Sequence, residues 1–129
     1  MDPISATKKH ILLVDDDKSV ISTAQEMLER YLDCKVTALT NSVEALEVFR
    51  DKPNHFDLVI TDIIMPKMTG EVLAKELIAI RPDIPIILCT AYSEGLVKNR
   101  AEAMGGVFLI KPFDLYELSK AIRKVLNKN

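Results

Sequence analysis

A chain of 129 residues, 48% hydrophobic and 28% charged, has the length and balance of a single compact domain with one sizeable core. Its net charge of −2 argues against direct contact with nucleic acid, which usually needs a basic face to neutralise phosphates. Its longest apolar runs, Ile11 to Val14 and Ile84 to Cys89, fall far short of the roughly 20 residues that cross a bilayer, so no membrane association is expected.

In chain order, residues 1–9 carry charges and a proline and lack the apolar centre of a secretory signal. They read as a flexible lead-in to a domain over residues 10–127. Short apolar runs then alternate with segments of helical period, the pattern of repeated βα units around a parallel sheet. The first strand is expected at Ile11 to Val14, followed by a helix whose inner face carries Val20, Ile21, Ala24, Met27, Leu28, Tyr31 and Leu32. The second strand, Lys35 to Leu39, alternates polar and apolar residues as an edge strand does. Asn41 or Ser42 can cap the next helix, which runs through Phe49 to a turn at Pro53 and Asn54. Leu58 to Ile60 form the third strand, and a loop through Pro66 and Gly70 leads to a helix carrying Val72, Leu73, Leu77 and Ile80, ended by Pro82. The fourth strand is Ile86 to Cys89. Ser93 can cap a helix with Val97, Ala101 and Met104 on one face, stopped by Gly105 and Gly106. The fifth strand, Val107 to Ile110, precedes a last helix with Leu115, Leu118, Ile122, Val125 and Leu126 inward. The expected fold is α/β: a five-stranded parallel sheet, order 2-1-3-4-5, doubly wound with five helices. Cys34 and Cys89 are too few for a disulfide framework, and both read as structural thiols in a reducing, cytoplasmic compartment.

Polar residues without packing roles fall just beyond the strands: Asp15 and Asp16, Asp62, Thr90 and Lys111. In open parallel sheets that rim is where ligands bind. In the order 2-1-3-4-5 all five converge on one pocket. Singly, each has an ordinary explanation: Asp15 to Asp17 as helix caps, Asp62 as a turn residue, Thr90 as a cap, Lys111 as a solvated lysine. Their shared placement favours one site. Two carboxylates about 5 Å apart repel by roughly 3 kcal/mol at an effective dielectric of 20, so a cation belongs among them. Hard carboxylate oxygens without nearby His or Cys suit Mg²⁺ better than zinc. Such an ion, with Lys111 and the Thr90 hydroxyl, suits phosphoryl oxygens, and Asp62 is the natural nucleophile for an acyl phosphate.

These residues sit in four blocks: Ile11-Leu-Leu-Val-Asp-Asp-Asp17, Asp57-Leu-Val-Ile-Thr-Asp-Ile-Ile-Met-Pro-Lys-Met-Thr-Gly70, Ile87-Leu-Cys-Thr-Ala-Tyr92 and Ile110-Lys-Pro-Phe113. In this order they resemble the receiver domain of two-component response regulators, over about His10 to Leu126. The resemblance implies a phosphorylation-controlled switch that catalyses only its own phosphorylation and dephosphorylation. Asp62 is then the phosphoacceptor, with Mg²⁺ held by Asp15, Asp16, Asp62 and the Ile64 backbone carbonyl. Lys111 contacts the phosphoryl group, Thr90 shifts to hydrogen-bond it, Phe108 is the switch aromatic, and the Lys111–Pro112 bond is cis. The implied donor is a phosphohistidine on a sensor histidine kinase or histidine phosphotransfer protein, which leaves His10 and His55 as surface or loop residues. The resemblance also implies an unidentified downstream effector and a monomer or phosphorylation-dependent dimer. The chain is then a stand-alone regulator or part of a larger response regulator or hybrid kinase. The signalling surface of such domains corresponds to Lys98, Arg100, Asp114, Lys120 and Arg123.

Two departures stand out. Gly105-Gly106-Val107-Phe108 is one residue shorter than the family spacing, and the positions that tune dephosphorylation hold Ile64 and Tyr92, which predict slow self-hydrolysis. Three rivals are weaker. Asp15-Asp-Asp-Lys-Ser19 fits a haloacid-dehalogenase-type phosphatase with Asp15 as nucleophile, but leaves the Asp62 block unexplained. A phosphorylation-independent adaptor leaves the complete acid, hydroxyl and lysine set without purpose. A flavodoxin-like nucleotide binder is opposed by the acidic first loop.

Overall fold

The structure is a computed structural model that describes residues 8–91, 99 and 106–127. Its elements are β1 (His10–Val14), α1 (Lys18–Glu26) continued by a π-helical turn (Met27–Tyr31), β2 (Lys35–Leu39), α2 (Ser42–Asp51) and a 3₁₀ turn (Pro53–His55). They continue with β3 (Leu58–Asp62), α3 (Gly70–Ile80), β4 (Ile86–Thr90), β5 (Val107–Ile110) and α4 (Leu115–Leu126). The described residues thus hold four α-helices where five were expected. The expectation for Ser93, Val97, Ala101 and Met104 lies outside them, although Asn99 is helical.

All strands pair in parallel in the order β2-β1-β3-β4-β5, as expected. β1, β3 and β4 are buried along their whole length, which is why they read as continuous apolar runs. β2 is only half-buried, as its alternation and edge position require. Strand side chains point alternately to the two faces. Ile11, Leu13, Ile60, Ile87 and Leu109 therefore pack with Ile21 and Leu28 and with Leu118, Ile122 and Val125 of α4. On the other face Leu12, Val14, Val59 and Leu88 pack with Ala45 and Phe49 of α2 and Leu73 and Leu77 of α3. Among the described residues no helix is long and apolar enough to cross a membrane.

Several local expectations shift. Asn41 caps α2, accepting from the Val43 and Glu44 amides, while Ser42 is its first residue. β3 and β4 run on to Asp62 and Thr90, because the Asp62–Cys89 pairing and the Ile63 N–H to Cys89 carbonyl bond (2.9 Å) carry the ladder past the apolar residues. Tyr31 is 58% exposed rather than inward. The π-helical turn winds more slowly than an α-helix and rotates the last residues of α1, so the ring stacks instead beneath the Arg30 guanidinium, 5.7 Å from its centroid. Val72 also points outward, its inward place being taken by Ala74.

His10 is buried, not a surface residue. Its amide donates to Asp57 Oδ2 (2.8 Å), its Nε2 lies 2.8 Å from Thr37 Oγ1, and its ring meets those of His55 and Phe56 at 4.4 and 4.8 Å. Burial, followed by the charges of His55 and Lys35 and opposed by Asp57, holds its pKa below the ordinary 6.5. The folded chain thus takes up this proton less readily than the unfolded one. The contribution of neutral His10 is complete above about pH 6.5 and is lost as pH falls through that value toward the lower folded pKa. The melting temperature is expected to drop between about pH 7.5 and pH 5.5, and His10→Gln to flatten that slope in thermal denaturation followed by circular dichroism.

Candidate functional site

The carboxyl ends of β1, β3, β4 and β5 share one rim because the register keeps them level: Val14 lies opposite Thr61, Asp62 opposite Cys89 and Thr90 opposite Ile110. Asp15, one residue beyond β1, is buried, and its amide donates to the Leu39 carbonyl at 3.2 Å. Its Oδ1 accepts from the Asp17 amide (2.9 Å) and its Oδ2 from Lys111 Nζ (2.6 Å). Asp62 closes β3, where its Oδ1 accepts from the Ile63 amide at 2.9 Å and its Oδ2 lies 3.1 Å from Lys111 Nζ. Lys111 reaches both acids because its own amide donates to the Thr90 carbonyl (2.8 Å), tying the loop after β5 to the end of β4. The Lys111–Pro112 bond is cis.

The acidic triplet divides its work. Asp17 caps α1, taking bonds from the Ser19 hydroxyl and from the Ser19 and Val20 amides, which hold its carboxyl below the usual carboxylate range. Asp15, Asp16 and Asp62 each offer an oxygen within 4.8 Å of the others, with Asp16 exposed and the other two buried. Burial pushes the Asp62 carboxyl up from 3.8 and the Asp15 charge adds to this, while Lys111 and the Ile63 amide oppose it. Burial pulls Lys111 down, but its bonds and charges with Asp15 and Asp62 outweigh that and hold it above 10.5.

Thr90 is buried as the last residue of β4. Phe108 is half-buried opposite Leu88 and packs against the cluster beneath α2 and α3. Ile64 exposes 56% of its surface beside the site. The expectation for Tyr92 lies outside the described residues. An open groove of about 420 Å³ flanks Lys111, lined mainly by Val20, Ala24, Met27, Pro112 and Phe113.

Two residues that sequence reasoning used only as landmarks touch the Asp62 backbone. The Thr61 hydroxyl donates to the Asp62 carbonyl at 3.0 Å, and a Cβ on Gly70 would stand 1.9 Å from that same oxygen. Their only sequence signals are a hydroxyl inside an apolar strand and a glycine where a helix begins.

The donor set fits a small hard cation. Among the described residues that set contains carboxylates alone, without the imidazole or thiolate that zinc favours.

Comparison with known proteins agrees with this geometry. The sequence model of the family described as "Response regulator receiver domain" matches residues 11–123. The chain is 34% identical over 120 residues to the two-component response regulator ARR10 of Arabidopsis thaliana, covering 92% of this chain and 21% of that protein. It is 36% identical over 124 residues to the transcriptional regulatory protein ZraR of Klebsiella oxytoca, covering 95% of this chain and 27% of that protein. The chain therefore spans about a quarter or less of the length of these two relatives. A response regulator receiver domain protein from Clostridium thermocellum superposes with a TM-score of 0.85 at 30% identity, covering 92% of this chain and 94% of that one. A parallel sheet in the order β2-β1-β3-β4-β5, an acid and lysine rim at its carboxyl end and a family match over residues 11–123 make this chain a member of the response regulator receiver domain family, whose members are phosphorylation-controlled signalling switches.

Proposed function

We propose that Asp62 accepts a phosphoryl group from a phosphohistidine of a sensor histidine kinase or phosphotransfer protein, in a Mg²⁺-dependent reaction within a unit spanning residues 10–127. The observation that carries this reading is the single lysine ammonium bridging Asp15 and Asp62, at 2.6 and 3.1 Å, beside a third carboxylate on the same rim. An Asp62 oxygen attacks phosphorus as the P–N bond to the donor imidazole breaks, leaving an acyl phosphate on Asp62 and an imidazole that takes up a proton. The Ile63 amide and Lys111 orient the attacking carboxylate and favour its charged form. Asp15, Asp16, Asp62 and the Ile64 carbonyl would hold Mg²⁺, which would supply positive charge to the transferring oxygens. Lys111 then turns toward the phosphoryl group, the Thr90 hydroxyl hydrogen-bonds it, and Phe108 follows to change the surface presented to an effector.

Buried free thiols at Cys34 and Cys89 suit a reducing cytoplasm. The chain works as a monomer or a phosphorylation-dependent dimer, alone or as the receiver part of a larger regulator or hybrid kinase. The phosphatase reading, with Asp15 as nucleophile, is disfavoured because it leaves Asp62 and its ion pair with Lys111 without a role.

Phosphotransfer from a panel of phosphorylated kinases, and from acetyl phosphate, tests the proposal with Mg²⁺ present and chelated. Label should require Mg²⁺; label that forms as readily without it refutes the proposal. The apolar side chain of Ile64 offers an attacking water no hydrogen bond, so Ile64→Asn, whose amide can hold that water, should shorten the acyl-phosphate lifetime by about tenfold, the rate equivalent of one hydrogen bond. An unchanged decay of label would remove Ile64 from that role.

A further inference from the structure

The backbone that presents Asp62 is gripped by two residues outside the acidic cluster. Thr61 is fully buried, and its hydroxyl donates to the Asp62 carbonyl at 3.0 Å. Gly70, the first residue of α3, is so close to the same peptide that a Cβ would lie 1.9 Å from the Asp62 carbonyl oxygen, 2.8 Å from its carbonyl carbon and 2.9 Å from Ile63 Cα. The Gly70 amide donates to the Ile63 carbonyl at 2.8 Å. The Ile63 amide in turn serves both the Cys89 carbonyl and Asp62 Oδ1 at 2.9 Å. The two peptides that separate Asp62 from Ile64 are therefore tied to β4, to α3 and to Thr61.

Neither residue is what packing or propensity alone would select. Valine matches threonine in shape, suits a buried strand at least as well and leaves no hydroxyl to desolvate. Glycine is among the poorest helix formers, and alanine would serve the start of α3 better were there room. A methyl group at position 70 would force a shift of about 1 Å, the scale on which misplaced reacting groups lose up to a hundredfold in rate.

We infer that Thr61 and Gly70 are positioning residues: by clamping the Asp62–Ile63 backbone they set the reach of the Asp62 carboxylate and the Ile64 carbonyl toward the cation and the incoming phosphoryl group. This rests on Asp62 being the acceptor.

The test compares the full chain with Thr61→Val, Thr61→Ser and Gly70→Ala in three measurements: Mg²⁺ affinity by titration calorimetry, labelling rate with acetyl phosphate, and melting temperature. Thr61→Val is expected to melt near the parent yet bind Mg²⁺ roughly tenfold more weakly, as other outer partners of metal ligands do when removed, and to label more slowly. Thr61→Ser, which keeps the hydroxyl, restores both. Gly70→Ala is expected to lose more affinity and to melt lower; should it fail to fold, the Thr61 pair still decides. Thr61→Val matching the parent in both affinity and labelling, or Thr61→Ser failing to restore them, overturns the inference while leaving the acceptor assignment intact. A parent chain that binds no Mg²⁺ and takes no label overturns both.

Discussion

Asp62→Asn is expected to abolish phosphoryl incorporation completely while raising the melting temperature of the metal-free protein. The two effects share one cause. An amide cannot act as the attacking carboxylate, so the loss of label is total. The native carboxyl has a folded-state pKa above its ordinary 3.8, because burial and the Asp15 charge disfavour its ionised form more than Lys111 favours it. The folded chain thus binds that proton more readily than the unfolded chain. An ionised Asp62 costs stability at every pH above its folded pKa, and the cost disappears as pH falls through that value toward 3.8. At neutral pH the asparagine removes it, and Lys111 keeps its 2.6 Å bond to Asp15, so no cation is orphaned. For a domain of this size each kcal/mol recovered should appear as about 3–5 °C in a thermal melt. Mg²⁺ should stabilise the parent more than the variant and so narrow the gap. Melts in chelator and in Mg²⁺, paired with radiolabel from acetyl phosphate, decide the matter; a variant that melts below the parent in chelator contradicts this electrostatic account.

Lys111→Met is expected to have the opposite signature. Methionine fills much of the apolar stem's space but leaves Asp15 Oδ2 and Asp62 Oδ2 facing each other without the ammonium that now bridges them. Removing one partner of a largely buried ion cluster destabilises by about 3 kcal/mol. The metal-free variant should therefore melt well below the parent. Mg²⁺ should recover most of this stability, because a divalent cation replaces the missing charge. It should not recover the rate. Losing one aligned donor to the transferring oxygens slows labelling by about a hundredfold, since that contact differs from charge neutralisation. Labelling at the parental rate, or a melting deficit that persists at saturating Mg²⁺, would show that Lys111 serves only as a counter-ion or only as a structural strut.

Much of the site was legible in the linear chain, for a physical reason. Parallel strands buried on both faces must be apolar throughout, so the polar residues that follow them mark the rim, and a right-handed βα succession leaves few strand orders. Asp15, Asp62 and Lys111 could thus be gathered before any contact was known, and the cap preference of Asn41 or Ser42 was readable to within one residue. Boundaries were less legible. Polarity alone ends β3 and β4 at their last apolar residue, whereas hydrogen bonding between neighbouring strands carries the ladder to Asp62 and Thr90. Tyr31 obeyed the helical period and still faces solvent, since one π-helical turn breaks the period that the inference assumes. His10 reads in the sequence as a surface or loop residue, and is buried because β2 and the 3₁₀ turn before β3 close over it.

Asp62 itself shows where the line falls. Composition, period and motif spacing were sufficient to name the fold type, the rim and the acid at its centre, because each follows from which residues can be buried and which must face water. They could not divide the acidic triplet into Asp17 as helix cap and Asp15 as lysine partner, nor reveal that Thr61 and Gly70 grip the Asp62 backbone. Those assignments depend on atoms of α3, β4 and the loop after β5 arriving within hydrogen-bond or van der Waals distance of one peptide. Distance between segments remote in the chain is a property of the packed molecule.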